Sequence, residues 1–402
     1  CDVIFGWDSG DVLYDNVEYT GWHSGYPDTM ATIDLATFRT IPWEPGTAAF
    51  LLDFLDKAGK PLAISPRQVF QSVVKRAEKM GYAPKMSAEY EFFFFKETPE
   101  SVRQKGYANL TPLTPGMFGY SWLRASESRE LVHELQDQLN AFEIPIEGFH
   151  TETGPGVFEA AIAVDDALKA ADRAALFKTA VKEISHRHGV MPCFMAKPSE
   201  KLPGCSGHVH MSLWTEGGSR NDFHDEKDPE GMSASMRHAI AGQVTLMPEL
   251  TAVVAPTINS YKRMVEGAWA PTTATWGLEN RTTAIRAIPG SAKSARIEYR
   301  QSAADMNAYL SMSVALGAAL WGMEKQTPLP AGVKGSAYTA KDAKKLPASL
   351  KEAVVLLRQS QAAKAILGPE FVEHYARTRE WEVRQHERAV STWELDRYFE
   401  II

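Results

Sequence analysis

The chain has 402 residues, 44% of them hydrophobic, and its 43 basic against 50 acidic residues give a formal charge of −7. This length supports a hydrophobic core without disulfide or metal support, and the acidic balance disfavours nucleic acid as a partner. No apolar run reaches the roughly 18 residues that a membrane span needs, so we expect no membrane partner. Three cysteines without a CxxC pair fit a reducing compartment, and we expect a cytoplasmic protein.

The predicted elements divide the chain at about residue 63. Turn-forming and aromatic residues fill the first sixty positions, so we predict a β-rich domain over residues 1–63, whose natural start we expect to precede Cys1. Strands and helices alternate over residues 64–402, which predicts a larger α+β domain. The predicted N-terminal strands are 3–5, 31–33 and 49–52, and the predicted helices are 68–80, 126–142, 165–188, 234–246, 303–324 and 370–389.

Three predicted strands carry ligand-type side chains on one face and apolar side chains on the other, because alternate residues of a strand share a face. Each strand alone is open to interpretation as a solvent-exposed charged face. Together they predict a sheet curved around a polar cavity, since such a cavity is costly without ions or substrate. The polar faces comprise Glu89 and Glu91 of residues 88–95, His208, His210 and Ser212 of residues 207–213, and Arg296, Glu298 and Arg300 of residues 296–300.

The side-chain types in these faces indicate a chemistry. Carboxylates with a few imidazoles and no thiolates suit Mg²⁺ or Mn²⁺ rather than zinc, and arginines bind carboxylate or phosphate through paired N–H groups. Glu152 and Glu159 flank a Gly154-Pro155-Gly156 turn that would aim both at one point, unless it is a surface hairpin. These features predict phosphoryl transfer to a carboxylate-bearing substrate. A two-metal hydrolase would share the acids but leave the arginines unexplained.

Seven motifs occur in the order seen in glutamine synthetases, and the resemblance extends over nearly the whole chain. The chain is most similar to the γ-glutamylmethylamide synthetase and type III glutamine-synthetase-like branch. The resemblance implies an N-terminal β-grasp domain, a catalytic domain with a curved antiparallel sheet and surrounding helices, and a homo-oligomer of two stacked hexameric rings with active sites between subunits. The motifs are Glu89-Tyr-Glu91, Glu152-x-Gly-Pro-Gly-x-x-Glu159, Ala196-Lys-Pro198, Gly207-His-Val-His-Met-Ser-Leu213, Asn259-Ser-Tyr-Lys-Arg263, Asn280-Arg281 and Arg296-Ile-Glu-Tyr-Arg300.

The resemblance also implies roles for individual residues. Asp15 is similar to the ammonium-site aspartate that reaches into a neighbouring subunit's active site. The residues expected at a glutamate-side metal are Glu91, Glu152 and Glu159, and those at a phosphate-side metal are Glu89, His208 and Glu298. The residues expected to bind glutamate and the transferred phosphoryl group are Gly204, Arg263, Arg281 and Arg300. The residues expected around ATP are Glu147, His210, Ser212, Arg286, Lys293 and Arg296.

The implied reaction is ATP-dependent activation of the glutamate γ-carboxylate as γ-glutamyl phosphate, from which an amine displaces phosphate. Trp269 stands where glutamine-forming members carry the glutamate that deprotonates ammonium. Tryptophan cannot act as a base, but it offers an apolar and cation–π surface to an alkylammonium ion; alternatively it only packs the loop. We therefore expect a ligase for L-glutamate and a small primary amine, methylamine first, with Mg²⁺ or Mn²⁺ and ATP as co-substrate. The alternatives are a glutamine synthetase using ammonia, a γ-glutamylpolyamine synthetase and a non-catalytic oligomeric family member.

Overall fold

The computed structural model describes residues 2–3, 5–8, 10–340 and 342–402. In these residues the chain forms two β-sheets and twelve α-helices. The strands are β1 (Asp2–Val3), β2 (Thr29–Thr40), β3 (Ala48–Leu55), β4 (Tyr82–Phe95), β5 (Ile146–Thr151), β6 (Val157–Ile162), β7 (Asp165–Asp166), β8 (Met191–Cys193), β9 (Gly207–Thr215), β10 (Arg220–Asn221), β11 (Trp276–Leu278), β12 (Ile285–Ile288) and β13 (Arg296–Tyr299). The helices are α1 (Pro66–Lys79), α2 (Pro99–Gln104), α3 (Trp122–Glu127), α4 (Arg129–Ala141), α5 (Ala167–Arg187), α6 (Ala234–Val254), α7 (Ser260–Arg263), α8 (Ala308–Glu324), α9 (Leu350–Gln359), α10 (Gln361–Leu367), α11 (Pro369–Arg388) and α12 (Thr392–Tyr398).

The N-terminal residues form a three-stranded antiparallel sheet in the order β1-β2-β3. The predicted β-rich start of the chain is therefore confirmed, and the two longer strands contain the predicted segments 31–33 and 49–52. The predicted strand 3–5 includes Ile4, which lies outside the described residues, as does Cys1. The division of the chain into domains of residues 1–63 and 64–402 stays a prediction.

The larger sheet has ten strands, and its main path runs β11-β12-β13-β9-β4-β6-β5. Its neighbours pair antiparallel, as expected, except β11 and β12 at one edge, which are parallel, so the sheet is mixed. In the loop between these two strands, Glu279 adopts a φ of 47° and the Asn280 side chain donates a hydrogen bond to the Gly335 carbonyl oxygen (2.7 Å). The α+β class predicted from the sequence is confirmed.

The register of the central strands brings the polar faces together. Glu89 of β4 lies opposite His208 of β9, and Glu91 of the same strand lies opposite Glu159 of β6. The other face of β4 is apolar and buried, and its Tyr90 ring stacks on Phe177 of α5 at 5.6 Å between ring centroids. The burial of this aromatic face fixes which side of the sheet carries the carboxylates.

Most predicted helices are present, with three differences. The predicted helix 303–324 begins only at Ala308, with Asn307 as its N-cap. The predicted helix 126–142 is divided at Ser128, whose φ and ψ of −108° and 20° are not helical. The predicted end at residue 246 is wrong, because α6 continues through Pro248 to Val254. The residues around Pro248 are buried, so tertiary packing outweighs the hydrogen bond that proline cannot make. Among the described helices, none combines the length and the apolarity needed to cross a membrane.

Arg67 at the start of α1 joins the N-terminal hairpin to α5. Its guanidinium donates hydrogen bonds to Asp34 (2.8 Å) and Asp53 (2.8 Å) of the hairpin and to Asp172 of α5 (2.9 Å). The arginine side chain is only 6% exposed. Burial would lower the pKa of Arg67, but the hydrogen bonds that it donates to its carboxylate partners raise it above the ordinary value. The cation is therefore a fixed structural contact between the N-terminal hairpin and the helices α1 and α5.

Replacing Arg67 with alanine should lower the free energy of unfolding by about 3 kcal/mol or more, because three carboxylates lose a buried cation. The control is Arg76→Ala, whose partner Glu324 is partly exposed, and that change should cost less than about 1 kcal/mol. Urea unfolding followed by tryptophan fluorescence at one protein concentration measures both values. Equal losses in the two variants would contradict a special role for Arg67.

Candidate active site

Two cavities lie on the polar face of the large sheet and meet at Glu89, which lines both. The first has a volume of about 870 Å³ and the second about 370 Å³. The sequence-predicted residues that line the first cavity are Glu89, Glu147, His210, Ser212, Lys293 and Arg296. Those that line the second are Glu89, Glu91, Glu152, Glu159, Gly204, His208, Trp269, Arg281 and Arg300.

The first cavity brings together the residues predicted around ATP, with one exception. Arg286 is not among the lining residues; its guanidinium contacts Glu279 and lies 3.2 Å from Glu298. Sequence reasoning did not assign Lys85 and Trp214, although both line the cavity and the Lys85 ammonium lies 4.8 Å from the centroid of the indole ring. The sequence contained a signal for both, because each lies an even number of residues from a polar-face residue of the same strand, and such residues share a face.

Glu89 and His210 form a hydrogen bond where the two cavities meet. The His210 Nε2 lies 3.0 Å from a Glu89 carboxylate oxygen, and Arg296 donates to its Nδ1 at 3.4 Å. Since Nδ1 accepts, Nε2 carries the hydrogen and donates it to Glu89. Burial opposes ionisation of Glu89, but this hydrogen bond and the neighbouring histidines lower its pKa below the ordinary value. The carboxylate is therefore anionic at neutral pH.

Glu298 lies beneath the second cavity and is 2% exposed. One carboxylate oxygen contacts the Arg300 guanidinium, and the other accepts a hydrogen bond from Arg286 at 3.2 Å. Burial would raise the pKa of Glu298, but the neighbouring histidines and Arg300 lower it to about 2. A fixed negative charge is thus held next to the cavity by two arginines.

His208 has an orphaned ring nitrogen. The residue is 3% exposed, and its Nδ1 is buried without a hydrogen-bond partner among the described residues. Burial and the charge of Arg300 lower the pKa of His208 to about 3, so the ring is neutral at neutral pH. A neutral imidazole with an unpaired nitrogen beside carboxylates fits a divalent metal ion.

A second group of side chains that can bind a metal ion lies at the other side of the second cavity. The ligand atoms of His150, Glu152 and Glu159 all lie within 4.8 Å of one another, which no other His, Cys, Asp or Glu trio in the described chain achieves. Burial and the charges of Glu89 and Glu91 raise the pKa of Glu159 to about 8. Such a cluster of carboxylates also fits a divalent cation. His150 was missed in the sequence, although it lies two residues before Glu152, ahead of the predicted Gly154-Pro155-Gly156 turn.

Glu91 and Arg263 lie side by side at the base of the cavity. A Glu91 carboxylate oxygen accepts the Ser206 backbone N–H at 2.7 Å, and burial raises the pKa of Glu91. Arg263 is 2% exposed and donates to Ser206 Oγ (2.8 Å) and the Gln301 carbonyl oxygen (3.2 Å). It is not among the lining residues, so its direct contact with glutamate stays a prediction.

Gly204 must be glycine where the chain passes Arg263. A Cβ at this position would lie 2.7 Å from the Ala196 carbonyl oxygen and 2.7 Å from the Arg263 side chain. The absent side chain leaves the backbone of Gly204 at the cavity wall, where its predicted contact with glutamate stays a prediction.

Trp269 lies at the mouth of the second cavity and is 64% exposed. Its φ of 56° follows a Gly267 φ of 79°, so this loop turns sharply and presents the indole to the opening.

Asp15 lines neither cavity of its own chain; its side chain is 53% exposed and pairs with Arg384 of α11. Its expected place in a neighbouring subunit's site stays a prediction.

Comparison with known proteins identifies relatives of this chain. The family model described as "Glutamine synthetase, catalytic domain" matches residues 63–398. Type-1 glutamine synthetase 2 of Dictyostelium discoideum is 48% identical over 100% of this chain and 78% of the relative. Glutamate–isopropylamine ligase of Pseudomonas sp is 39% identical over 100% of this chain and 88% of the relative. A solved GmaS/ADP complex is 29% identical, covers 92% of this chain and 85% of that chain, and superposes with a TM-score of 0.84.

The Glu298→Gln variant should weaken binding of Mn²⁺ about tenfold or more at one site, because a neutral amide replaces a buried carboxylate of the donor set. The control is Glu279→Gln, since Glu279 also contacts Arg286 but its side chain is 52% exposed. The free Mn²⁺ signal in electron paramagnetic resonance (EPR) gives the affinities, and thermal melting checks folding. Unchanged binding in the folded Glu298→Gln variant would remove Glu298 from the metal ligands.

Proposed function

The chain belongs to the glutamine synthetase family, and we propose that it joins the γ-carboxylate of L-glutamate to a small primary amine, with methylamine preferred, at the expense of ATP. The observation that carries this proposal is the meeting of the two cavities at Glu89. A nucleotide in the larger cavity and glutamate in the smaller one would direct the γ-phosphate and the γ-carboxylate toward the same carboxylate-lined junction.

Two displacement steps account for the reaction. A γ-carboxylate oxygen of glutamate attacks the γ-phosphorus of ATP, the bond to the bridging oxygen breaks, and ADP leaves with that electron pair. The amine nitrogen then attacks the acyl carbon of γ-glutamyl phosphate, and inorganic phosphate leaves. Arg281 and Arg300 line the cavity and are suited to bind the carboxylate and to offset charge on the transferred phosphoryl group. The amine must lose a proton before the amide forms.

The residues that would hold divalent metals lie on both sides of the junction. Bound metal supplies positive charge that stabilises the phosphoryl oxygens during transfer. The glutamate-side ligands would be Glu91, Glu152 and Glu159, and the phosphate-side ligands would be Glu89, His208 and Glu298. The chain's own contribution is to hold these donors in place: His210 orients Glu89, and Arg286 and Arg300 hold Glu298.

Trp269 supports an alkylamine as the second substrate. Its exposed indole lines the cavity and offers an apolar and cation–π surface to an alkylammonium ion. The 39% identity to a glutamate–isopropylamine ligase supports the same class of amine. Ammonia is the second candidate, because a relative with 48% identity is a type-1 glutamine synthetase.

We also propose that the site is completed by a neighbouring copy of the chain in a homo-oligomer. Asp15 lies outside the cavities of its own chain, partly exposed and paired with Arg384. An aspartate in this position is free to approach the amine side of an adjacent subunit's cavity. Two stacked hexameric rings are the assembly expected from the family resemblance.

The Trp269→Glu variant should shift the substrate preference toward ammonia, because a carboxylate replaces the apolar wall and can accept a proton. The measurement is ADP release with ATP, L-glutamate and Mg²⁺ or Mn²⁺, comparing methylamine, ethylamine, putrescine and ammonia. The matched control is Trp269→Leu, which keeps an apolar side chain and should retain the preference for alkylamine over ammonia.

An unchanged amine-to-ammonia ratio in the Trp269→Glu variant would contradict Trp269 as the selecting residue. A wild-type preference for ammonia would make the protein a glutamine synthetase with a different proton acceptor. Absence of ADP release with every amine and either metal would overturn the ligase proposal.

The Arg281→Ala variant should reduce kcat/KM for glutamate about 100-fold or more, because a cation facing the substrate and the phosphoryl group is lost. Its free energy of unfolding should be nearly unchanged, since Arg281 is exposed. Lys262→Ala is the control, because it removes an exposed cation that is not among the lining residues. A wild-type kcat/KM in the Arg281→Ala variant would exclude this role.

A further inference from the structure

His150 is the side chain in the donor group for which the sequence analysis assigned no role. It lies on β5, directly opposite Glu159 of β6 in the strand register. The Tyr120 ring stacks on the imidazole with 4.5 Å between centroids and 22° between the planes. The ring is therefore held in one orientation, with Tyr120 covering one of its faces.

The hydrogen bonds of His150 determine which ring nitrogen carries the hydrogen. Nδ1 lies 3.1 Å from the Thr151 carbonyl oxygen, which only accepts hydrogen bonds, so Nδ1 carries the hydrogen. In the neutral ring Nε2 is then an acceptor, and it lies 3.2 Å from a carboxylate oxygen of Glu159. Two acceptors at this distance repel unless a cation lies between them, either a proton or a metal ion; the hydrogen bond to Glu159 raises the pKa of His150 to about 9, so this position favours a cation.

The surroundings favour a metal ion as that cation. Glu152 also belongs to the group, and the three ligand atoms lie within 4.8 Å of one another; three donors can converge on a metal ion but cannot share one proton. Ligands at right angles around an ion with bonds of about 2.1 Å lie about 3 Å apart, which matches the separation of 3.2 Å between His150 Nε2 and Glu159. An imidazole whose other nitrogen donates to a backbone carbonyl is the usual arrangement of a metal-bound histidine.

We propose that His150 binds, through Nε2, the divalent cation held by Glu152 and Glu159, which makes this a mixed nitrogen and oxygen site that prefers Mn²⁺ to Mg²⁺. Imidazole suits first-row transition metals, whereas Mg²⁺ favours oxygen ligands alone. The inference rests on the metal-dependent ligase activity proposed above, and it deepens that activity by assigning a further ligand and a metal preference.

The test uses the full-length protein with a His150→Phe change, which keeps an aromatic ring under Tyr120 but removes both nitrogens. Mn²⁺ affinity should fall about tenfold or more, and Mg²⁺ affinity, measured by competition, should fall less. Pulsed EPR of bound Mn²⁺ detects coupling to imidazole nitrogen. His208→Asn serves as the background, because it removes the other predicted imidazole ligand. The nitrogen coupling should persist in that background and disappear when His150→Phe is added.

The control is His133→Phe in the same background, since His133 is an exposed residue of α4 that lines neither cavity. It should leave affinity and coupling unchanged, and thermal melting confirms that each variant is folded. Absence of nitrogen coupling in the His208→Asn background, or equal Mn²⁺ affinity with and without His150→Phe, would overturn the inference. Coupling and affinity do not depend on turnover. If the wild type is an active ligase but the His208→Asn variant shows no nitrogen coupling, only the role of His150 is contradicted. If the His208→Asn variant shows the coupling but the wild type is inactive, only the proposed function is contradicted.

Discussion

Repulsion among carboxylates on adjacent strands is the constraint on which the rest of the site depends. Glu91 of β4 lies directly opposite Glu159 of β6, and Glu89 follows two residues earlier on the same face. Side chains opposite each other in an antiparallel pair are separated by only about 5 Å, and burial weakens the screening by water. The aromatic opposite face of β4 prevents the strand from turning these acids outward, since that would expose Tyr90 and its neighbours.

The surrounding cations and histidines show how the fold compensates this charge. His210 pairs with Glu89, and two arginines hold Glu298, so these acids are fixed as anions. Glu159 is compensated less completely, and burial together with its carboxylate neighbours raises its pKa. The difference divides the site into one side with permanent charges and another whose charge depends on what is bound. The proposed metal ions would satisfy both sides and would explain why so many acids can be kept in one cavity.

The two cavities differ in the side chains that line them. The larger cavity presents lysine, arginine, serine and tryptophan side chains to a nucleotide-sized ligand, while the smaller one concentrates the acids and arginines. Trp269 lines the smaller cavity on a loop with a left-handed backbone. In the proposed function, a substitution there would change the amine that is accepted while the predicted metal ligands stay the same. This arrangement is consistent with a family in which relatives use different amines.

Much of this site was determined by the sequence alone. The alternation of polar and apolar residues in β4, β9 and β13 gave the faces, because a strand places alternate side chains on opposite sides. The ordered motifs identified the family, and the Gly154-Pro155-Gly156 turn indicated where two acids approach. Local periodicity also gave most helices, and it failed at Pro248, where burial of the helix outweighs the local cost of proline.

Only the tertiary structure decided which residues become neighbours across strands and loops. The register of β5 against β6 places His150 opposite Glu159, and neither residue carries that information in its own segment. Single segments likewise do not reveal the contact of Lys85 with Trp214, the contact of Arg286 with Glu279, or the parallel pairing of β11 with β12. Sequence patterns fix the face on which a side chain lies because they follow from backbone geometry. Contacts between segments depend on register and loop path, which are set by packing of the whole chain.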